Sequence, residues 1–124
     1  MNTSNYKVKT NKNELTIPYL ISDGLENCAS LMPRVSESLQ SCKYEQLFNQ
    51  TQEIVGILTN LDKLVPQNEK EPVFKTLHDY FEFAEAMIQR LNVKRDVELC
   101  KAMEKSFHDV GTSWRQSVDA LTRQ

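Results

Sequence analysis

The sequence predicts an all-α protein, an antiparallel up-down-up-down four-helix bundle. Apolar residues recur at intervals of three and four in four separate stretches, and residues with that spacing lie on one face of a helix. The alternation of apolar and polar residues that is typical of strands is sustained nowhere. Three glycines and four prolines among 124 residues are also too few for the many tight turns of an all-β fold.

The first predicted helix begins near Pro18, since a proline leaves no unpaired N–H in the first turn of a helix. Pro33 lies further inside the same stretch, where a proline removes a backbone hydrogen bond and crowds the preceding turn. We therefore expect a kink or break near Ser30 or Pro33, or a short extra N-terminal helix. The apolar stripe of this helix contains Ile21, Leu25, Cys28, Met32, Val35, Leu39 and Cys42.

The second predicted helix follows a short turn at residues 41–44. The polar segment from Pro66 to Pro72 has a proline at each end and is expected to end this helix and begin the next one. The stripe of the second helix contains Leu47, Thr51, Ile54, Leu58, Leu61 and Val65.

The third predicted helix differs from the others because it carries two apolar stripes. A helix that is apolar on two sides either lies centrally in a bundle or exposes one face to a partner, and both interpretations are open at this point. Phe48 and Val55 form a weaker second stripe on helix two. The first stripe of helix three contains Val73, Leu77, Tyr80, Ala84, Met87 and Leu91, and the second contains Phe74, Phe81 and Ile88, with Phe83 as an additional aromatic residue.

The fourth predicted helix follows a short link. Asn92 is expected to end helix three in the left-handed conformation, and Asp96 to cap the amino end of helix four. Short links make successive helices antiparallel, which predicts one bundle domain over residues 15–124 after a flexible polar arm, residues 1–14. The fourth stripe contains Cys100, Met103, Phe107, Val110, Trp114, Ser117 and Leu121.

The charge pattern argues against a nucleic-acid partner, and the lengths of the apolar runs argue against a membrane span. The chain has 15 Lys and Arg against 17 Asp and Glu, a net charge of −2, and acidic residues interrupt its densest basic segment, residues 94–105. Nucleic-acid binding needs an uninterrupted positive surface, and no apolar run approaches the roughly 18 residues of a membrane span. We therefore expect no nucleic-acid partner, no membrane span and a cytoplasmic location.

The residues that could carry chemistry are isolated from one another. His78 and His108 are 30 residues apart, without the spacing of a metal site, and no glycine-rich phosphate loop is present. Cys28, Cys42 and Cys100 lack the paired spacing of disulfide or zinc sites and are expected to be buried free thiols. We predict that the protein is not an enzyme, has no catalytic or metal-binding residues and needs no cofactor.

The C-terminal helices resemble the FliS family of bacterial flagellar secretion chaperones. Residues 92–99 read N-V-K-R-D-V-E-L, similar to the family pattern N-L-K-x-D-V-x-x-L, and an apolar helix ending at Trp114 follows. Residues 21–24 read I-S-D-G in place of the family's L-Y-D-G, and residues 54–62 resemble its I-I-x-x-L-x-x-S-L-D helix end. The resemblance covers residues 17–120, with Ser22 replacing the family tyrosine and Pro18 an aliphatic residue.

This resemblance implies a chaperone that holds the C-terminal segment of flagellin in the cytoplasm and prevents its polymerisation. Such a segment is amphipathic and folds on binding, and the flagellar export gate is a further partner. The chaperone would be a monomer or a homodimer. A client of this kind needs broad apolar grooves, and residues 1–14 are a candidate cover for one of them. The candidate client-binding residues are those of the second stripes: Phe48, Val55, Phe74, Phe81 and Ile88.

Three alternatives remain at this point. The same bundle could serve a co-chaperone or regulatory adaptor that binds another flagellar protein. His78 lies on a bundle helix, as in histidine phosphotransfer domains, but Asp79 and Tyr80 follow it where such domains have small residues. The third alternative is a bundle that self-associates through helix three.

Overall fold

The computed structural model describes the backbone of residues 3–66 and 71–122 and the side chains of residues 16–66 and 71–120. Four helices follow one another in these ranges, which contain no strand: α1 (Thr3–Gln40), α2 (Tyr44–Leu64), α3 (Pro72–Lys94) and α4 (Val97–Thr122). α1 packs against α2 and α4, and α2 packs against α3. The predicted all-α, up-down-up-down four-helix bundle is confirmed.

The core stripes predicted for α1 and α2 are buried almost completely. From Ile21 to Leu39 and from Leu47 to Val65, every predicted stripe residue has at most 6% of its surface exposed. Cys42 is the exception: it lies beyond the end of α1, is exposed, and has a φ of 58°. It ends the helix in the left-handed conformation, with the Lys43 N–H bonded to the Ser38 carbonyl oxygen at 2.9 Å.

The face of α3 that packs in the core differs from the predicted one. Phe81 and Ile88 have no exposed surface and line the core. Val73 is 49% exposed, while Tyr80 and Met87 are half-buried at the edge. The buried face lies between the two predicted stripes and takes residues from both. Tyr80 lies at its edge, where its hydroxyl reaches a polar partner in Ser106. The buried residues of α3 are Leu77, Phe81, Ala84, Ile88 and Leu91.

α1 is continuous through both of its prolines, so the expected break near Pro33 is wrong. A proline in a helix interior costs about 3 kcal/mol. Met32 and Val35, on either side of Pro33, are fully buried, and burial of two such side chains contributes about as much. Pro18 lies inside the helix and not in its first turn.

Residues 18–23 of α1 are tied to the C-terminal half of α4 by side-chain hydrogen bonds, one of them from the Arg115 guanidinium to the Asp23 carboxylate. The indole N–H of Trp114 donates to the Pro18 carbonyl oxygen at 2.8 Å, and the Ser22 hydroxyl donates to the Gly111 carbonyl oxygen at 2.8 Å. The Tyr19 hydroxyl donates to a carboxylate oxygen of Asp119 at 2.7 Å. The backbone of residues 3–14 continues α1, whereas the side chains of this predicted arm, and with them its cover over a groove, lie outside the described residues.

The predicted cap of α4 is confirmed. One carboxylate oxygen of Asp96 accepts hydrogen bonds from the N–H groups of Glu98 at 3.0 Å and Leu99 at 3.3 Å. The predicted end of α3 is wrong by three residues, because Arg95, with a φ of 50°, holds the left-handed position expected of Asn92. Residues 67–70 of the predicted link and the side chain of Leu121 lie outside the described residues.

Candidate functional site

The candidate site is a groove between α3 and α4, the pair of sequence neighbours that packs least closely. The hydroxyl groups of Tyr80 and Ser106 form a hydrogen bond of 2.8 Å across it. This bond identifies the face of α3 that is turned toward α4, and residues three, four and seven positions from Tyr80 share that face. We call this surface the α3/α4 groove.

The α3 wall of the groove is apolar and partly exposed. Phe83 is 51% exposed, and its ring centroid lies 6.5 Å from that of Tyr80. Met87 is half-buried one turn further along, and Val73 extends the same face toward the start of the helix. The face from Val73 to the end of α3 is roughly 30 Å long.

The α4 wall is less bulky than the α3 wall. Leu99, Ser106 and Val110 are half-buried and share one face of α4, because their spacings are seven and four. The small side chain of Ser106 stands opposite the large ring of Tyr80, and the two are joined by their hydroxyl groups. Near the α3–α4 turn, at one end of this face, lies a cavity of about 450 Å³ bounded by Met87 and Leu99. We call this the wide end of the groove.

The wide end of the groove also carries charge. Arg90 and Lys94 line its cavity, and neither forms an ion pair with another described residue. Asp96 lines the cavity too, but one of its carboxylate oxygens caps the first turn of α4. Among the described residues, the cavity therefore has two cations without an ion-pair partner and one anion that caps a helix.

The structure does not bring the five predicted client-binding residues together. Phe81 and Ile88 are fully buried core residues, so for these two the expected position in a surface groove is wrong. Val55 and Phe74 are half-buried and pack against the core. Phe48 is 53% exposed, but it lies on α2, which packs on the side of α3 away from α4.

Sequence reasoning missed the groove because the buried face of α3 lies between its two predicted stripes, so that each stripe is only partly buried. Tyr80 and Met87 belong to the stripe expected to form the core, and Leu99 was assigned to none. The sequence contained one indication of this surface. Phe83 lies outside both stripes, which is the position expected of an exposed aromatic residue on a binding surface. Which stripe faces inward depends on the packing partners, which helical spacing does not specify.

The opposite side of α3 is closed against α2 by polar contacts. Nδ1 of His78 lies 2.7 Å from Oδ1 of Asp62 on α2, and Nε2 lies 3.3 Å from Oε1 of Glu82. The hydrogen bond to Asp62 and its negative charge, with smaller contributions from Glu82 and Asp79, raise the pKa of His78 above its usual value. His78 thus links α2 to α3 with a carboxylate at each ring nitrogen.

The cysteines are free, as predicted, but only two of them are buried. Burial raises the pKa of the Cys28 thiol to about 12 and that of the Cys100 thiol to about 11, so both thiols are poor nucleophiles. Within the described residues, no three His, Cys, Asp or Glu side chains are grouped so that they could hold a metal ion. None of the described helices is both long and apolar enough to cross a membrane.

The fold and the groove together define a helical bundle with an open apolar seam between two of its helices. No family model matches the chain, and no curated protein matches it either.

Proposed function

We propose that this protein is a non-enzymatic binding protein, a cytoplasmic export chaperone of the FliS type. Its client is the C-terminal segment of flagellin, which it keeps from polymerising and presents for secretion. The observation that carries the proposal is the α3/α4 groove, an apolar surface about as long as a helix of 20 residues. Groove binding of an amphipathic helix is a common mode of peptide recognition.

The arrangement of the exposed side chains in the groove favours the interpretation that this surface binds a client. A single exposed apolar residue is ordinary on a protein surface, but Val73, Phe83 and the edges of Tyr80 and Met87 follow one face. A segment that folds on binding loses conformational entropy, which broad apolar contact must offset. Covering the exposed half of Phe83 alone is worth roughly 1 kcal/mol.

The environment of His78 weighs against a phosphotransfer domain. A phosphoryl group carries negative charge, and carboxylates lie 2.7 and 3.3 Å from the two ring nitrogens. The repulsion between like charges would disfavour the phosphorylated state. An adaptor that binds another flagellar protein would use the same groove, so the identity of the client separates it from the chaperone.

The test measures binding of the C-terminal flagellin segment of the host bacterium by calorimetry, and its gain of helix by circular dichroism. Phe83→Ala should weaken binding by roughly five- to thirtyfold, since the client covers this ring. Phe48→Ala is the matched control, because Phe48 and Phe83 are 53% and 51% exposed. The control should bind with unchanged affinity.

Three results would contradict the proposal in different ways. If no complex forms and no helix is gained, flagellin is not the client. If Phe48→Ala weakens binding and Phe83→Ala does not, the client binds on the α2 side. If the protein alone dimerises and Phe83→Ala abolishes the dimer, the groove serves self-association.

A further inference from the structure

We propose that the α3/α4 groove is directional: its wide end, at the α3–α4 turn, binds the acidic end of an amphipathic helical segment. Arg90 and Lys94 are the contacts for the client carboxylates. This inference rests on the proposed function, because it requires that the groove hold a helical client. It adds the charge pattern of that client and the direction in which it lies.

The first observation is that the cations at the wide end form no ion pair with a described residue, whereas Lys75 and Lys105, elsewhere on the same two helices, do. Lys75 on α3 lies 3.1 Å from a carboxylate oxygen of Asp79, and Lys105 on α4 pairs with Asp109. Both pairs join residues four apart on one helix, so each cancels its own charge. Arg90 and Lys94 have no such partner among the described residues.

The second observation is that Asp96 forms no ion pair with either of these two cations. It lines the same cavity, but its Oδ1 accepts the N–H groups of Glu98 and Leu99 at 3.0 and 3.3 Å. The carboxylate is therefore committed to the first turn of α4.

The third observation is the apolar character of the groove beyond its wide end. Val73, Tyr80, Phe83 and Met87 line the α3 wall, and none of them offers a charged group to a client. A segment with acidic residues at one end and an apolar face along its length matches this order. A segment with basic residues at that end would place its positive charges beside Arg90 and Lys94, and this repulsion would disfavour binding.

The experiment is a charge cycle between the groove and the client. Arg90→Gln with Lys94→Gln removes both cations, and the flagellin segment is prepared with each Asp and Glu replaced by its amide. Lys75→Gln with Lys105→Gln is the matched control, because it removes the same total charge from paired positions. Arg90 and Lys94 are exposed, so the variant is expected to keep its helix content, which circular dichroism checks.

We expect the unaltered segment to bind the Arg90/Lys94 variant roughly five- to tenfold more weakly than the unaltered protein, from two exposed ion pairs. The amide segment should bind the unaltered protein with a similar loss. The two losses should not add in the combination, and both should shrink in 0.5 M salt, where screening is stronger. The Lys75/Lys105 control should bind normally.

Three outcomes overturn the inference, and only the last of them also overturns the proposed function. If the segment binds the unaltered protein but the Arg90/Lys94 variant binds it equally well, the groove exists and has no charge direction. If the losses add fully, the cations and the client acids act separately, and the inference fails in the same way. If the segment binds no form of the protein, the proposed function fails, and this inference fails with it.

Discussion

The side-chain amide of Asn92 donates a hydrogen bond of 2.8 Å to the hydroxyl oxygen of Thr51, which joins α3 to α2. Thr51 has no exposed surface, and its hydroxyl in turn donates to the Phe48 carbonyl oxygen at 2.9 Å. The hydroxyl is therefore both donor and acceptor in a buried interface. Asn92 makes this contact from inside α3, and Arg95 ends the helix three residues later.

Replacing Thr51 by Val should lower the free energy of unfolding by about 1–2 kcal/mol, because the Asn92 amide loses its acceptor. Urea denaturation of each single variant and of the Thr51→Val, Asn92→Ala pair should give a combined loss smaller than the sum. Ser30→Ala is the control, since Ser30 forms an exposed bond to the Asn27 carbonyl oxygen. A Thr51→Val variant as stable as the original would contradict this account.

Gly24 is required by the close approach of α1 and α2, whereas Gly56 is not. A Cβ at position 24 would lie 2.6–2.7 Å from the two methyl carbons of Leu61, and a Cβ at position 56 meets nothing within 4 Å. Gly24→Ala should therefore destabilise the bundle by about 1–2 kcal/mol through overpacking. Gly56→Ala should stabilise it by about 0.5–1 kcal/mol through helix propensity.

Thermal unfolding of the two glycine variants provides the measurement. The Leu61→Val substitution in the Gly24→Ala background is the diagnostic combination, because a shorter side chain relieves the contact. If Gly24→Ala proves as stable as Gly56→Ala, the close packing at Leu61 is not what keeps this glycine.

The stability of the α2–α3 pair should depend on pH through His78. The pKa of His78 is raised above 6.5 in the folded state, first by its hydrogen bond to Asp62. A group with a raised folded pKa contributes stability that is fully present below its unfolded pKa and is lost as the pH rises through the folded pKa. The contribution should thus be complete below about pH 6.5 and absent in alkaline solution.

Urea denaturation of the original protein and of His78→Gln across pH 5.5 to 9 measures this contribution. The difference in free energy of unfolding between the two proteins should be largest at the acidic end and decrease as the pH rises. Asp62→Asn should reduce the pH dependence of this difference as well. A difference that grew with pH would show that His78 does not act through its protonated form.

Cys42 ends α1 in a conformation that suits glycine better than cysteine. Its φ of 58° places the Cβ near the following carbonyl oxygen, which costs a non-glycine residue roughly 1–2 kcal/mol. Cys42→Gly should therefore raise the free energy of unfolding by about 1 kcal/mol. Cys42→Ala keeps the Cβ and loses only the thiol, so it should not gain stability, and a gain of equal size in both variants would exclude backbone strain as the cause.

The three thiols should differ in their reactivity with an aromatic disulfide reagent at pH 8. Cys42 is exposed, while Cys28 and Cys100 are buried with pKa values of about 12 and 11. One thiol should react at once, and two only when the protein unfolds. Cys42→Ser should remove the fast phase completely, and a second fast thiol in that variant would mean that the core opens readily.

The elements that local sequence can encode were predicted well. The stripes of α1 and α2 follow from side-chain spacing, and the Asp96 cap follows from a short-range hydrogen bond between a side chain and its own helix. These features need no knowledge of a partner helix. The break expected at Pro33 failed because burial on both sides of it, a property of the whole core, outweighs the local cost.

The candidate site depends on long-range packing more than the helices and their caps do. Phe81 and Phe83 are two positions apart on the same helix, yet the first is fully buried and the second half-exposed. The spacing of α3 gives a broad apolar surface, and it does not specify which part of that surface faces inward. The rotation of α3 depends on α2 and α4, because Asn92 bonds to Thr51 on one side and Tyr80 bonds to Ser106 on the other.

Four amphipathic helices and their order are therefore a property of the amino-acid pattern alone, since periodicity and capping act within a few residues. The rotation of α3, the open seam beside α4 and the unpaired cations at its end arise from contacts between residues far apart in the chain. Such contacts are settled when the helices pack together, because only then does each side chain acquire its neighbours.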